Sequence, residues 1–239
     1  MKPKVSIIIP FYNCPYIEQA IQSALDQTYD NIEILVIDDG STMHAERITP
    51  YLEHVYYLGK MNGGTATALN HGIQMSSGQY VAWLSSDDLF YPNKIANQLH
   101  FMLEQNARIS YTSFNSINAD SAVTQLDVTP RYSNEIDFYR TFLNANPING
   151  CTVMMRRDLF ERIGIFNESL PYTHDLDLWY RVLLNGIKIH FLGQSLVAYR
   201  WHEEMGTKKH AEAIQHEVAY TMGKYKPSLE WLISQMAFV

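Results

Sequence analysis

Residues 81–88 read Val81-Ala82-Trp83-Leu84-Ser85-Ser86-Asp87-Asp88, a short apolar run that ends in two adjacent carboxylates. An apolar run of this length, bounded by polar residues, predicts a buried strand. Ligands of open α/β sheets bind beyond the carboxyl ends of the strands, so Asp87 and Asp88 should lie at the mouth of a crevice. Paired carboxylates suit Mg²⁺ or Mn²⁺ bridging a phosphate, although a solvated turn or a helix cap also explains them.

The chain before this stretch alternates strands with amphipathic helices. Residues 5–9 are apolar and rich in β-branched side chains, as in a central strand covered on both faces. Residues 17–25 carry apolar side chains at helical spacing. The alternation continues through the segments 32–37, 44–52, 55–58, 66–75 and 80–84. This order predicts an α/β fold with a mostly parallel, doubly wound, Rossmann-like sheet flanked by helices.

The pattern changes after a helix that begins at Pro92 and a strand at residues 109–112. A polar, hairpin-like region is expected over residues 115–129, and the elements beyond it are shorter. Helices are predicted at 136–143, 158–163 and 172–184, strands at 151–155, 187–192 and 195–201, and a polar helical tail follows. We therefore expect a smaller, antiparallel region beside the parallel sheet.

Composition narrows the possible functions. The 239 residues are 46% hydrophobic and 18% charged, which is typical of a globular protein that can form one large domain. The formal net charge of −7 argues against a broad nucleic-acid surface. Cys14 and Cys151 lack metal-ligand spacing, so we expect free thiols in a reducing, cytoplasmic compartment. No run approaches the roughly 20 apolar residues of a membrane span, so any membrane contact should be peripheral.

Four segments together resemble the family 2 glycosyltransferases of GT-A fold, and they occur in the family's order and spacing. The segments are Val5-Ser6-Ile7-Ile8-Ile9-Pro10-Phe11-Tyr12-Asn13, Val36-Ile37-Asp38-Asp39-Gly40-Ser41-Thr42, Ser86-Asp87-Asp88 and His174-Asp175-Leu176-Asp177-Leu178-Trp179. The resemblance covers about residues 4–202. It implies an inverting, metal-dependent enzyme that transfers a sugar from a nucleoside diphosphate donor to an acceptor hydroxyl.

The resemblance assigns the donor-binding residues. Asp39 matches the family's base-binding aspartate, and its carboxylate can accept a hydrogen bond from the N3–H of uracil, so a UDP-sugar donor is expected. Pro10, Tyr12 and Asn13 match the loop that lines the base and ribose. Lys60 resembles, more loosely, a segment that reaches the nucleotide.

The resemblance also assigns a metal site. Asp88 is expected to bind Mg²⁺ or Mn²⁺ and Asp87 to bind the metal or the ribose, although Ser86 occupies the first position of the family's DxD triplet. His202 matches a histidine that in many relatives approaches the metal or the diphosphate. A lone histidine is as often structural, so the ligand role of His202 is left open.

Asp175 matches the family's general base, which removes the proton of the acceptor hydroxyl. His174 replaces the glutamate that normally precedes this aspartate, which puts in doubt the acceptor contact of that glutamate. Asp177 is expected near the same helix start, where the helix dipole favours an ionised carboxylate.

By the same resemblance, residues 1–239 form one domain with three parts. Residues 1–112 bind the nucleotide sugar, residues 113–205 bind the acceptor, and residues 206–239 are a helical tail. The expected setting is cell-surface polysaccharide assembly, with a saccharide or lipid-linked acceptor and a peripheral position at the inner face of the cell membrane. The acceptor's identity and the oligomeric state are not encoded in any recognisable motif.

Two other functions compete with this interpretation. A sugar-phosphate nucleotidyltransferase usually carries a glycine-rich, arginine-containing loop after its first strand, whereas residues 11–15 here read Phe-Tyr-Asn-Cys-Pro. A catalytically inactive sugar-binding module is disfavoured because the acidic residues are all present. Neither G-x-G-x-x-G nor G-x-x-x-x-G-K-[ST] occurs, which argues against dinucleotide oxidoreductases and P-loop NTPases.

Overall fold

The computed structural model describes residues 2–236. Four parallel strands form one side of its sheet in the order β3-β2-β1-β4. They are β1 (Val5–Phe11), β2 (Ile32–Asp38), β3 (Tyr56–Gly59) and β4 (Tyr80–Trp83). Every residue of β1 and β4 is buried, because helices cover both faces of a parallel sheet.

The connections between these strands are helical, as predicted. They are α1 (Ile17–Leu25), a 3-10 helix (Ala45–Tyr51) and α2 (Thr65–Met75). The middle connection is a 3-10 helix that contains Pro50, which has no N–H for an α-helical bond. Strand β1 also runs two residues beyond its predicted end, through Pro10 to Phe11.

Pro10 fits inside this central strand because of its position in the ladder. Ile8 faces β4, since its carbonyl accepts from Leu84 N at 3.0 Å. Phe11 faces β2, since its carbonyl accepts from Asp39 N at 2.9 Å. Alternation along the strand turns Pro10 toward β4, whose pairing with β1 has already ended at Ile8. The missing N–H of proline therefore costs no ladder bond.

The second side of the sheet continues in the order β8-β6-β9-β5, and β7 pairs with the carboxyl end of β6. Its strands are β5 (Leu89–Phe90), β6 (Ile109–Ile117), β7 (Val123–Gln125), β8 (Met154–Arg156) and β9 (His190–Arg200). Strand β8 is antiparallel to both β4 and β6, whereas β6 and β9 are parallel. Most ladder residues lie in parallel pairs, which confirms the mostly parallel α/β sheet.

Six further α-helices belong to this part of the chain. They are α3 (Lys94–Glu104), α4 (Glu135–Thr141), α5 (Asp158–Ile163), α6 (His174–Leu184), α7 (Gly206–Lys209) and α8 (Ala211–Met236). The predicted helical tail is thus confirmed by α7 and by α8 as far as residue 236. Helix α8 packs on α6 and α4 and buries Leu229 completely. Across residues 2–236, none of the helices combines the length and apolarity that a bilayer crossing requires.

Three predicted strand boundaries are wrong. Strand β6 runs five residues beyond its predicted end at residue 112, to Ile117. The segments 187–192 and 195–201 form the single strand β9, because the pairing with β6 shifts from Thr112↔Leu192 to Ser113↔Ser195 and continues. Gly193 and Gln194 are absorbed there as an irregularity. The strand predicted from Cys151 begins only at Met154, and Cys151 lies in a short 3-10 helix (Gly150–Thr152).

Candidate functional site

The two adjacent carboxylates after β4 lie in different environments. Asp88 is only 1% exposed. Its Oδ1 accepts from Arg200 N at 2.8 Å and its Oδ2 from Cys151 Sγ at 3.0 Å. Burial, with a smaller contribution from the charge of Asp87, raises the pKa of Asp88 well above its usual range. Asp88 therefore ties the turn after β4 to β9 and to the segment around Cys151.

Asp87 is the more accessible of the two carboxylates and contacts His202. Its side chain is 26% exposed, and its Oδ2 lies 3.0 Å from His202 Nε2. The ring of His202 also packs edge-on against Tyr16, with 5.1 Å between ring centroids. From the sequence, only the family resemblance predicts that Asp87 and His202 lie near one another. The structure shows that they are in direct contact.

The oxygen of Asp87 and the nitrogen of His202 fit a divalent cation that is completed by substrate. Within residues 2–236, no group of three or more His, Cys, Asp or Glu side chains could hold a metal ion by itself. Mg²⁺ is commonly bound by one or two carboxylates together with water and substrate phosphates. The assignment of Asp88 to the metal stays a prediction. Both of its oxygens already accept hydrogen bonds.

Arg200 is a buried residue that sequence reasoning missed. Its Nε donates to the carbonyl of Asp87 at 2.7 Å, and its Nη2 donates to Gln19 Oε1 at 2.8 Å. Its Nη1 contacts the turn between β6 and β7, including Ser121 Oγ at 2.9 Å and the carbonyl of Asn118 at 3.2 Å. A charged residue inside an apolar strand was the available signal, because an arginine is rarely fully buried unless it is paired.

Asp39 lies at the carboxyl end of β2 and holds the loop that precedes α2. Its carboxylate accepts from the backbone N–H of Gly63 at 3.0 Å and of Gly64 at 2.7 Å, and from Asn62 Nδ2 at 3.2 Å. Lys60 forms an ion pair with the same carboxylate. Asp39 is 3% exposed, so this loop covers it. Lys60 therefore contacts Asp39, and its contact with the nucleotide stays a prediction.

The loop after β1 lies beside the end of β2. Asn13 has a positive φ of 50°, and its Oδ1 accepts from Thr42 N and Met43 N at 2.8 Å each. This contact fixes the Asp-Asp-Gly-Ser-Thr segment relative to β1. Tyr12 is 54% exposed and therefore available for stacking, whereas Pro10 is buried in the strand.

Asp175 lies in the first turn of α6. Its Oδ1 accepts from Leu176 N at 2.7 Å, and its Oδ2 accepts from Asn146 Nδ2 at 3.0 Å. Burial raises the pKa of Asp175 above its ordinary value, although the bond from Asn146 opposes the shift. A raised pKa makes a carboxylate a stronger proton acceptor, which is what a general base requires.

His174 points away from Asp175 and into the core. It is 4% exposed and packs against Trp83 and Phe166, with centroid distances of 5.5 Å and 5.4 Å. Burial lowers its pKa, which favours the neutral imidazole. The histidine that replaces the family's glutamate therefore acts as a core aromatic residue here, and it gives no polar contact in the cleft.

Helix α8 holds the segment on both sides of Asp175. Glu217 Oε2 accepts from Tyr172 N at 3.1 Å, Thr173 N at 2.9 Å and Thr173 Oγ1 at 3.0 Å. Tyr225 donates through its hydroxyl to Asp177 Oδ1 at 2.8 Å. Glu217 thus satisfies the N–H groups of the two residues that precede α6, and Thr173 makes no side-chain capping bond to the helix itself.

Asp175 opens into a cavity of about 550 Å³. The walls of this cavity come from the end of β4, from β6 and β9, and from the loops at residues 128–132 and 145–151. Asp175 shares this cavity with Ser85 and Cys151. Because Cys151 also donates to Asp88, the cavity adjoins the turn that carries Asp87.

Two loop contacts connect the other strand ends to this edge of the sheet. Cys14, in the loop after β1, donates from Sγ to the carbonyl of Ser86 at 3.3 Å. Gly64, in the loop held by Asp39, lies close to Pro171, so that a Cβ built on it would be 3.7 Å from Pro171 Cβ. The structure therefore connects the ends of β1, β2 and β4 with the segment that leads to Asp175. Cys14 and Cys151 are both free thiols, as predicted.

The chain is similar in sequence to curated glycosyltransferases. It is 40% identical over 230 residues to an uncharacterized glycosyltransferase of Rickettsia typhi, covering 94% of this chain and 72% of that one. It is 34% identical over 204 residues to the Escherichia coli UDP-Glc:alpha-D-GlcNAc-diphosphoundecaprenol beta-1,3-glucosyltransferase WfaP, covering 83% and 77%. The chain spans 36% to 72% of the lengths of the first three curated relatives that it matches.

The fold is similar to a solved bacterial structure. Staphylococcus aureus TarS 1-349 in complex with UDP-GlcNAc superposes with a TM-score of 0.71 over 91% of this chain and 66% of that one. The sequence identity is 20%, so this likeness concerns the fold alone. It confirms the GT-A architecture expected from the sequence.

Residues 6–164 match the sequence profile of the family described as Glycosyl transferase family 2. This match covers more than half of the chain and includes the segments that carry Asp39, Asp87 and Asp88. Together with the relatives, it shows that the chain belongs to the family 2 glycosyltransferases, with a GT-A fold.

Proposed function

We propose that this chain catalyses the inverting, divalent-metal-dependent transfer of a sugar from a UDP-sugar to the hydroxyl group of an acceptor. The observation that carries the proposal is the position of Asp175. This carboxylate has a raised pKa and lies in a cavity that adjoins the turn with Asp87. A base on one side of the reacting sugar and a diphosphate site on the other are what an inverting displacement requires.

The donor is proposed to bind across the ends of β1 and β2, within residues 1–112. The E. coli relative is named for UDP-Glc and the TarS structure contains UDP-GlcNAc, which supports uridine as the nucleoside. Asp39 would accept from uracil N3–H, but its oxygens already accept from the loop at residues 60–64. Uridine binding would therefore release one of these donors, and the two side-chain donors, Lys60 and Asn62, can move without a change in the backbone.

We assign the Mg²⁺ or Mn²⁺ ion to Asp87 and His202. When bound there, the ion would neutralise the charge of the diphosphate leaving group. Asp88 would keep its bonds to Arg200 and Cys151 and so hold the turn in place. Binding of the metal by Asp88 through one oxygen would require only that oxygen's hydrogen bond to be exchanged or shared.

Asp175 is proposed to remove the proton from the acceptor hydroxyl as the hydroxyl attacks the anomeric carbon. Asn146 orients the carboxylate by donating to Oδ2, and the backbone N–H of Leu176 holds Oδ1. The acceptor would bind among residues 113–205, which supply most of the cavity walls. Residues 206–239 would support the segment before α6 through Glu217.

The proposed setting is cell-surface polysaccharide assembly at the inner face of the cell membrane. Its support is the name of the E. coli relative, which gives a diphosphoundecaprenol-linked sugar as the acceptor. A saccharide or lipid-linked acceptor is proposed for this chain on that ground.

The test is Asp175→Asn, assayed by UDP release from a panel of UDP-sugars in the presence of p-nitrophenyl glycoside acceptors, with Mn²⁺, with Mg²⁺ and with a chelator. We expect kcat to fall about 10²- to 10⁴-fold, the usual contribution of a general base, with UDP binding retained. Asp26→Asn, at the exposed residue that follows α1, is the matched control. Full turnover by Asp175→Asn would refute the assignment of the base. Pyrophosphate release from UTP and a sugar 1-phosphate would instead support a nucleotidyltransferase.

A further inference from the structure

The cavity beside Asp175 has neutral walls. Aromatic rings form much of its surface, and they belong to Trp83, Phe114, Tyr132 and Tyr199. Amide and hydroxyl groups supply its polar atoms, among them those of Asn149 and Thr207. Within the part of the chain that the structure describes, residues 2–236, Asp175 is the one carboxylate in the lining, and no lysine or arginine contributes to it.

Two basic residues that are adjacent in sequence to the cavity lining, Arg131 and Lys208, are paired with acids. Arg131, between two segments of the lining, donates to Asp127 at 2.7 Å and lies over the ring of Phe191 at 4.8 Å. Lys208, which follows Thr207, donates to Glu203 at 2.7 Å. These ion pairs offset the charges of both cations, and Asp175 is the one charged side chain in the lining among the described residues.

The chemistry of these walls suits a sugar ring without charge. The apolar C–H faces of such a ring can contact aromatic side chains, while its hydroxyl groups need a small number of amide and hydroxyl partners. A carboxylate or phosphate on the ring would be desolvated without a cation partner and would be repelled by Asp175.

We propose that the sugar unit that accepts the transfer is uncharged, with neither a carboxylate nor a phosphate on the ring inside the cavity. This inference rests on the proposed function, because it takes the hydroxyl group beside Asp175 as the acceptor. Any phosphate of a lipid-linked acceptor lies outside the cavity. The inference excludes uronic acids and sugar phosphates as the unit that is directly glycosylated.

The experiment compares matched acceptors by ligand-observed NMR with the protein and UDP. The pairs are p-nitrophenyl glucoside with the glucuronide, the galactoside with the galacturonide, and the N-acetylglucosaminide with its 6-phosphate. We expect at least one neutral member to bind about 100-fold more tightly than its charged partner, the order produced by a like charge about 6 Å from Asp175 at an effective dielectric constant of about 20. Equal or tighter binding of every charged member overturns the inference, and so does the absence of binding by all neutral members.

A charge introduced into the cavity tests the location. Ala145→Lys places a cation in the lining, whereas Ala213→Lys places the same cation on the exposed face of α8. We expect Ala145→Lys to reduce the preference for the neutral partner about tenfold, and Ala213→Lys to leave it unchanged. An unchanged preference in Ala145→Lys would show that the acceptors bind elsewhere and would overturn the inference.

The two proposals fail in different ways. Binding of the matched pairs needs no turnover, so the preference can be measured even if no UDP-sugar is consumed. If neutral and charged acceptors bind equally while turnover still depends on Asp175, only the proposal of an uncharged acceptor is rejected. Turnover that does not depend on Asp175 rejects the proposed base, while the preference for a neutral ring then stands as a property of the cavity.

Discussion

Lys94 offers a quantitative test of how this structure is stabilised. It is the first residue of α3 and is fully buried, with Nζ 4.2 Å from the centroid of the Phe90 ring. Within residues 2–236, no hydrogen-bond partner reaches this Nζ. Burial lowers the pKa of Lys94 from 10.5 to about 7, with a small opposing contribution from Cys151.

The sign and size of the effect follow from this shift. Between pH 7 and 10.5 the unfolded chain binds more protons at Lys94 than the folded chain does. The free energy of unfolding therefore increases as the pH rises through this window. At about 1.4 kcal/mol per pKa unit, the buried amine destabilises the fold by about 4 kcal/mol at pH 7 and by about 2 kcal/mol at pH 9.

Lys94→Met removes the ionisable group and keeps a long, flexible side chain against Phe90. We expect urea unfolding to show a gain in stability of about 4 kcal/mol at pH 7 that falls to about 2 kcal/mol at pH 9. Lys226→Met, on the exposed surface of α8, is the control and should change the free energy of unfolding by less than about 0.5 kcal/mol. A gain below about 1 kcal/mol at pH 7, or an equal gain at both pH values, would refute the reasoning.

Two further predictions concern the cavity and the segment that carries the proposed base. Glu217→Ala should lower kcat about tenfold with little change in the KM for the donor, because a shift of the base by about 1 Å is sufficient for such a loss. Glu217→Gln should restore most of kcat in steady-state assays, since all three bonds end on one oxygen, and failure of the glutamine to do so would contradict a simple positioning role. Gly150→Ala should destabilise the protein by about 1–3 kcal/mol in urea unfolding, because its Cβ would lie 2.1 Å from Trp83 Cζ3. Gly59→Ala is the control, since among residues 2–236 its Cβ would meet no heavy atom within 4 Å apart from its chain neighbours. Equal stability of the two variants would contradict the packing argument.

The parallel half of the sheet could be predicted because its signals are local. Each buried strand is a continuous apolar run, and the polar residues that follow must lie at one edge of the sheet. This logic places Asn13, Asp39 and Asp87 close together without any knowledge of long-range contacts. The structure confirms the strands and helices, and it differs mainly by one or two residues at their ends.

The environments of individual carboxylates could not be predicted, because residues far away in sequence create them. Asp87 and Asp88 are adjacent, and periodicity alone gives them equal chances of binding a metal. Their difference arises from Arg200 and His202, more than a hundred residues later, and from Cys151. No local pattern indicates which of the two carboxylates is buried.

The same distinction explains why the sequence says more about the donor than about the acceptor. The donor side is built from a few strand ends, and each one carries its polar residues in a short segment. The acceptor side is assembled from single residues of separate segments, such as Asn146 beside Asp175, and it is supported by Glu217 from α8. A site of this kind has no sequence motif. Each segment contributes a single residue, and the identities of the residues next to it are not constrained. Substrate preference on the acceptor side therefore has to be argued from the cavity itself, from its charge and its walls.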